Sequence, residues 1–220
     1  MSSNTPAQGR LFVVSAPSGA GKTTVVDTVI AQTSGVVRSR SYTSRPAREG
    51  EEDGVAYHFV SRARFESMIA GDQFLEWAEF GGHLYGTAVL DTDRELEAGH
   101  DVVFVIEVQG TRLLRRRRPD VISVFLMPPS AGELERRLRE RKQNTEEDIA
   151  RRLRTACEEV RAYTEYDFVV VNDDLEHCID DLHSIFVAER SRLASRRRQV
   201  EAILASFEAI PGDSDTRKGA

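Results

Sequence analysis

The chain has 220 residues, with 30 Lys plus Arg against 36 Asp plus Glu and a formal net charge of −6. That length suits one core domain carrying insertions, and the acidic balance gives the molecule no overall electrostatic footprint for nucleic acid. No stretch approaches the ~18 apolar residues of a membrane span, residues 1–8 are small and polar, and Cys157 and Cys178 make neither a disulfide framework nor a metal spacing; the expectation is a cytoplasmic protein. Five histidines are scattered without an i, i+4 pair, which assigns them no metal role.

Leu11 to Val14 is a short apolar run, and Ser15-Ala16-Pro17-Ser18-Gly19-Ala20-Gly21-Lys22-Thr23-Thr24 follows it. An apolar-periodic stretch with Val25, Val26, Val29 and Ile30 comes next. The order is strand, phosphate loop, helix. Small residues let backbone N–H groups converge on phosphate oxygens, the helix N-terminus adds partial positive charge, Lys22 reaches the β/γ-phosphates and the Thr23 hydroxyl ligates Mg²⁺. Position 16 is Ala where the strict pattern has Gly, which is tolerable if that residue keeps φ below zero.

Further buried strands are expected at Val102 to Ile106, Val121 to Leu126 and Phe168 to Val171. Helices are expected at Val25 to Gln32, Thr92 to Glu97, Gln109 to Arg116, Glu133 to Arg141, Glu146 to Tyr163 and Leu175 to Arg190. Continuous apolar strands alternating with helices point to an α/β fold whose parallel sheet is flanked by helices on both faces. Ser130 with Glu133 and Thr145 with Asp148 are spaced as helix caps. Residues 39–88 break this rhythm: Ser41 to Tyr57 is polar and turn-rich, Ala56 to Val60 and Glu76 to Phe80 look like short strands, and Arg62 to Ile69 a helix between them. This reads as an inserted α+β subdomain. Arg139 to Thr145 is a short charged joint, a candidate lid in a nucleotide-handling protein. The run Arg115 to Arg118 is expected to be a solvated helix end, and Cys157 a buried or half-buried thiol. Beyond residue 190 a helical pattern with Leu193, Val200, Ile203 and Leu204 could pack on the core or on a second subunit, followed by a polar tail.

A phosphate loop leaves motor, GTPase, transporter and kinase open. The insertion narrows them: it carries Ser41-Tyr42-Thr43-Ser44-Arg45-Pro46-Ala47-Arg48-Glu49-Gly50-Glu51, Tyr57, Phe74-Leu75-Glu76-Trp77-Ala78-Glu79-Phe80 and Tyr85-Gly86-Thr87. On these segments, in this order, the chain resembles the guanylate kinase family from about Arg10 to Arg190. The resemblance implies a P-loop three-layer fold with a core at 9–38 and 89–190, a GMP-binding insertion at 39–88, a lid at about 137–152 and an extension at 191–220. It implies transfer of the γ-phosphoryl group of ATP to GMP, with dGMP as a second acceptor; the charge balance and the lack of an apolar span lead us to expect neither nucleic-acid nor membrane partners.

Carried over residue by residue, the resemblance gives Arg45, Arg48, Tyr57 and Tyr85 to the GMP phosphate. The chemistry agrees, since Arg offers a planar fork and Tyr neutral donors. Glu76 takes the guanine-reading position, where an acceptor-only carboxylate suits the N1–H and 2-amino donors of guanine and meets a lone pair on adenine. Ser41 and Thr87 complete base recognition. On the donor side the resemblance gives residues 16–24 to ATP, with Lys22 also catalytic. It makes Arg137, Arg141 and Arg152 lid arginines that close on the triphosphate, and places Asn172 and Asp173 near adenine. Arg136, Arg139 and Arg151 fit solvent-facing positions better.

One departure stands out. The family pattern has a carboxylate, a hydrophobe and Asp before Gln-Gly, whereas this chain has Val105-Ile106-Glu107-Val108-Gln109-Gly110. Val105 lacks the first carboxylate, and Glu107 lengthens the second by one methylene. Glu107 is kept with the GMP-binding residues, within reach of the acceptor nucleoside or of a metal-bound water. Two other readings remain open at this point: a guanylate kinase-like phosphopeptide-binding scaffold without catalysis, and a related P-loop kinase with another phosphorylated acceptor. Intact Lys22 and Thr23 argue against the first, and Glu76 with Ser41 and Thr87 against the second.

Overall fold

The structure is a computed structural model and describes residues 8–140 and 145–208. In chain order, β1 (Leu11–Ser15), α1 (Lys22–Gln32) and β2 (Val36–Arg38) are followed by β3 (Tyr42–Thr43), β4 (His58–Phe59), α2 (Arg62–Ala70), β5 (Phe74–Phe80) and β6 (His83–Ala88). Then come α3 (Val89–Glu97), β7 (Asp101–Val105), α4 (Val108–Arg117), β8 (Ile122–Met127), α5 (Ala131–Glu140) and α6 (Glu146–Glu159). A 3₁₀ segment (Val160–Glu165), β9 (Phe168–Val171), α7 (Leu175–Arg190) and α8 (Leu193–Glu208) complete the described chain.

Two sheets organise these elements. The first has the order β2-β7-β1-β8-β9 with every pairing parallel. Its strands read as unbroken apolar runs because both faces are covered. Phe12 and Val14 of β1 pack with Val25, Val29, Leu182 and Phe186, while Leu11 and Val13 pack on the other side with Leu96, Phe104 and Leu114. The Phe12 and Phe186 rings, 4.4 Å apart, pin α7 to the sheet. Helices on both faces give the three layers expected of the sequence.

The second sheet, β4-β3-β6-β5, is mixed: β3 pairs with β4 in parallel and with β6 antiparallel, and β5 pairs antiparallel with β6. Its own small core gathers Phe65, Met68, Phe74 and Leu84. The register of β5 shifts between Phe74 and Glu76. Bulges re-aim side chains, and this one sends Leu75 into the core beside Phe104 while bringing Glu76 opposite Thr87.

Several expectations need correction. α1 begins at Lys22, three residues before its apolar pattern, because the helix starts on the loop itself. The helix expected to reach Tyr163 is α6 only to Glu159, after which the chain tightens into 3₁₀. Strands β2, β3 and β6 were not anticipated at all. Cys157 is exposed, not buried or half-buried. The Arg115 to Arg118 run is more engaged than a solvated helix end: Arg115 pairs with Asp167, Arg117 with Asp72 and Arg118 with Asp93, three separate parts of the chain, as residues pointing around a helix should. The caps at Ser130 and Thr145 are present, the latter as a reciprocal capping box with Asp148. α8 buries none of its side chains, leaving Val200, Ile203, Leu204 and Phe207 exposed.

Candidate active site

The loop between β1 and α1 turns on Gly19 (φ 98°) and Gly21 (φ 90°), conformations that L side chains rarely adopt. Space is closed there too: a Cβ on Gly19 would stand 2.7 Å from Leu138, and one on Gly21 would stand 2.6 Å from the Asn172 amide. Ala16 is buried and is not among the positive-φ residues, so the missing glycine costs nothing. Asn172, buried at the end of β9, donates from Nδ2 to the Ala20 carbonyl at 2.7 Å and accepts at its own carbonyl from Arg137 Nη2 at 3.0 Å. Arg137 is held in turn by Glu133 at 2.7 Å. The two arginines Arg136 and Arg137 hold the Glu133 carboxyl down at about 2. Thus Arg137 and Asn172 converge on the loop. Thr23 and Thr24 stand exposed at the head of α1.

The other donor-side residues are less concentrated. Arg152 is half-buried on α6, and Asp173 is exposed, with its carboxylate accepting from the Asp174 N–H. Arg141 lies outside the described residues. Arg136, Arg139 and Arg151 sit in surface ion pairs, as expected of solvent-facing positions.

Lys22 reaches back across the loop, with Nζ donating to the Ile106 carbonyl and to Glu107 Oε1, each at 3.2 Å. Glu107, at the N-cap position of α4, therefore stands against the donor lysine. Beside it lies Glu159, the last residue of α6, whose carboxyl faces both the Ser18 N–H and Glu107, with Oε2 buried and without a hydrogen-bond partner among the described residues. Burial and then the Glu107 charge push the Glu159 carboxyl up to about 7, against the opposing pull of Lys22 and the Ser18 N–H.

On the second sheet Glu76 is 7 % exposed and accepts from the Thr87 hydroxyl at 2.8 Å, and Thr87 is 3.3 Å from the Ser41 hydroxyl. Burial raises the Glu76 carboxyl above the usual range, with hydrogen bonds from Thr87 pulling the other way. Arg45 donates to Glu51 at 2.8 Å and lies 5.6 Å over the Tyr57 ring. The Tyr57 and Tyr85 rings meet edge to face at 6.0 Å. The other Glu51 oxygen accepts from the Arg48 N–H at 2.8 Å. The structure thus gathers Ser41, Glu76 and Thr87 into one cluster and Arg45, Tyr57 and Tyr85 into another, with Arg48 tied to the second through its backbone.

The guanylate kinase family model matches residues 8–189. The chain belongs to the guanylate kinase family. It is 49 % identical over 185 residues to the guanylate kinase of Alkalilimnicola ehrlichii, covering 84 % of this chain and 91 % of that one. With the guanylate kinase of Chromobacterium violaceum it shares 47 % identity over 192 residues, 87 % of this chain and 91 % of the other. The crystal structure of guanylate kinase from Anaplasma phagocytophilum superposes with a TM-score of 0.69 at 30 % identity, covering 89 % of this chain and 94 % of that one. As a guanylate kinase the chain is an ATP:GMP phosphotransferase. The scaffold and alternative-acceptor readings find no support in these relatives. No helix among the described residues is long and apolar enough to cross a membrane.

Two residues beside the candidate site were not singled out by the sequence. Glu51 was signalled only by its place in the Arg- and Glu-rich stretch after Arg45. Glu159 had no signal, because one glutamate among the charges of an amphipathic helix looks like any other.

Proposed function

We propose that this guanylate kinase reads guanine with Glu76, Ser41 and Thr87, holds the GMP phosphate with Arg45, Arg48, Tyr57 and Tyr85, and holds ATP on residues 16–24 with Lys22 as the phosphate-handling cation. The observation that carries the reading is Glu76. Buried charges are normally paired, yet this carboxylate accepts from the Thr87 hydroxyl and has no cation on it among the described residues. That leaves acceptor capacity for the two adjacent donors of guanine. dGMP carries the same base and is proposed as a second acceptor.

The attacking atom in this reaction is an anionic phosphate oxygen, so no general base is required and catalysis rests on positioning and charge. Arg45, preset by Glu51 and the Tyr57 ring, orients the acceptor phosphate. Lys22 meets the donor phosphates, and Arg137, anchored to Asn172 beside the loop, adds charge from α5; Arg141 and Arg152 are proposed to join it, and Asp173 to flank adenine with Asn172. Mg²⁺ takes oxygen ligands and keeps phosphate and water around it. The exposed Thr23 hydroxyl fits that donor set and is the proposed protein ligand, and the ion when bound neutralises phosphate charge. The division into core, GMP-binding insertion at 39–88 and a lid at about 137–152 belongs to the same reading.

Lys22→Ala should lower kcat by about 10²-fold or more while GMP binding persists. A coupled ADP-release assay with a GMP titration followed by calorimetry checks both halves, and near-normal turnover would remove Lys22 from the site. ADP production against GMP, dGMP, AMP, CMP and UMP should show turnover with the two guanine nucleotides alone.

A further inference from the structure

We propose that Asn172 is a positioning residue for the phosphate loop: its side-chain amide locks the Ala20–Gly21 peptide so that the Gly21 N–H faces the place of the triphosphate. The inference rests on the assignment of residues 16–24 to ATP given above, and adds the residue that keeps this loop in its binding shape. Asn172 is 4 % exposed and is held from three sides. Its backbone N–H donates to the Met127 carbonyl at 2.8 Å, which carries the β8–β9 pairing one residue past the end of β9. Its carbonyl accepts from Arg137 Nη2 of α5 at 3.0 Å. Its Nδ2 donates to the Ala20 carbonyl at 2.7 Å. A residue fixed by a strand on one side and a helix on the other is thereby a rigid point from which to hold the loop.

What it holds is a peptide plane. In a trans peptide the C=O and the following N–H point in opposite directions, and no cis peptide occurs among the described residues. Pinning the Ala20 oxygen on Asn172 therefore turns the Gly21 N–H away from Asn172. The Ala20 N–H is already taken inside the loop by the Pro17 carbonyl at 3.1 Å. The Gly21 N–H is the next donor along the chain, and its direction is the one that Asn172 sets.

The loop's own sequence leaves that direction loose. Gly21 sits at φ 90°, and glycine populates both signs of φ about equally, so the peptide before it can turn over with little steric resistance. Turned over, it would present the Ala20 oxygen to phosphate oxygens, acceptor against acceptor. The turn would also strip the buried Asn172 amide of its partner, and an unsatisfied buried donor is costly. The close approach makes the same demand on residue 21: a Cβ there would stand 2.6 Å from Asn172 Nδ2, so a side chain and the lock exclude each other.

The test uses the full chain as wild type, Asn172→Leu, Asn172→Ala and Lys22→Ala. Leucine keeps the branched shape of asparagine and removes the donor. Calorimetry gives dissociation constants for a non-hydrolysable ATP analogue and for inorganic tripolyphosphate, each with GMP saturating the acceptor site, and for GMP alone. Both Asn172 variants are expected to bind the analogue and tripolyphosphate about tenfold more weakly, by the same factor for each, with GMP affinity within about twofold of wild type. Equal loss with a ligand that has no base separates the loop from adenine as the origin of the effect. Weaker binding of the analogue with unchanged tripolyphosphate, Asn172→Leu like wild type beside an impaired Asn172→Ala, or a loss for GMP as large as for the triphosphates would each overturn the proposal. If neither variant folds, the wild type decides: the Asn172 side-chain amide should be protected from hydrogen exchange in the ligand-free protein, and exchange at the rate of an exposed asparagine would overturn the lock. Tripolyphosphate bound by Lys22→Ala as tightly as by wild type would overturn the parent reading of the loop, whereas weakened Lys22→Ala beside Asn172 variants that bind like wild type overturns only this one.

Discussion

Glu76, the proposed guanine reader, owes its position to one displaced residue in β5. Along a regular strand Phe74 and Glu76 would share a face, but the register shift between them sends Phe74 to the insertion's core, Leu75 to the main core and Glu76 to the hydroxyls of Thr87 and Ser41. A buried carboxylate that accepts from a ligand is stringent, since exchanging one oxygen for an amide nitrogen presents a donor to a donor. Glu76→Gln is accordingly expected to lower kcat/KM for GMP by up to roughly 10⁴-fold with the fold intact, as steady-state kinetics and a melting curve would establish; unchanged GMP kinetics would place the base reader elsewhere. Burial raises this carboxyl. Reading guanine needs the ion, so GMP affinity should fall on acidification earlier than an exposed glutamate would make it fall.

At the scale of elements, one buried carboxylate ties the entry to β1 to the end of α7. Asp101, 2 % exposed at the start of β7, accepts from the Arg10 N–H at 2.8 Å, from the Arg10 guanidinium at 3.4 Å and from Arg190 Nε at 2.7 Å. Removing one member of a buried ion group costs about 3–5 kcal/mol. Asp101→Ala should therefore lower the melting temperature by about 6–20 °C, measured by calorimetry, while turnover at 25 °C stays near that of the parent, because Asp101 touches none of the site residues. This tie was not legible in the sequence, where an aspartate before a strand looks like a turn residue. The strands of the parallel sheet were legible because burial on both faces writes unbroken runs such as Leu11 to Val14. β3, only Tyr42–Thr43, and β6, whose residues are mostly polar or small, were hidden because pairing across a sheet, not pattern along the chain, makes them strands. The same contrast divides the site. Arg45, Tyr57, Glu76 and Tyr85 announced themselves through neighbouring motif residues, whereas the pairing of Glu51 with Arg45 is legible only in three dimensions.

Across the whole molecule the charge is −6 although both substrates are anions. Under the proposed reading attraction is therefore local, supplied by Lys22 and Arg137 on one side and Arg45 and Arg48 on the other, each held by an acidic side chain. The donor groups stand at the ends of the parallel strands and the acceptor groups on a separate sheet with its own core. Transfer requires the acceptor oxygen and the γ-phosphorus to approach to about 3–3.5 Å, with water shut out so that ATP is not hydrolysed. Closure of the two sheets on each other is expected when both ligands are present, since each then neutralises cations that would otherwise repel. GMP together with a non-hydrolysable ATP analogue should therefore reduce the radius of gyration in small-angle scattering more than either nucleotide alone. Identical profiles with and without the pair would mean that the two sites already stand at reacting distance and that no closure accompanies catalysis.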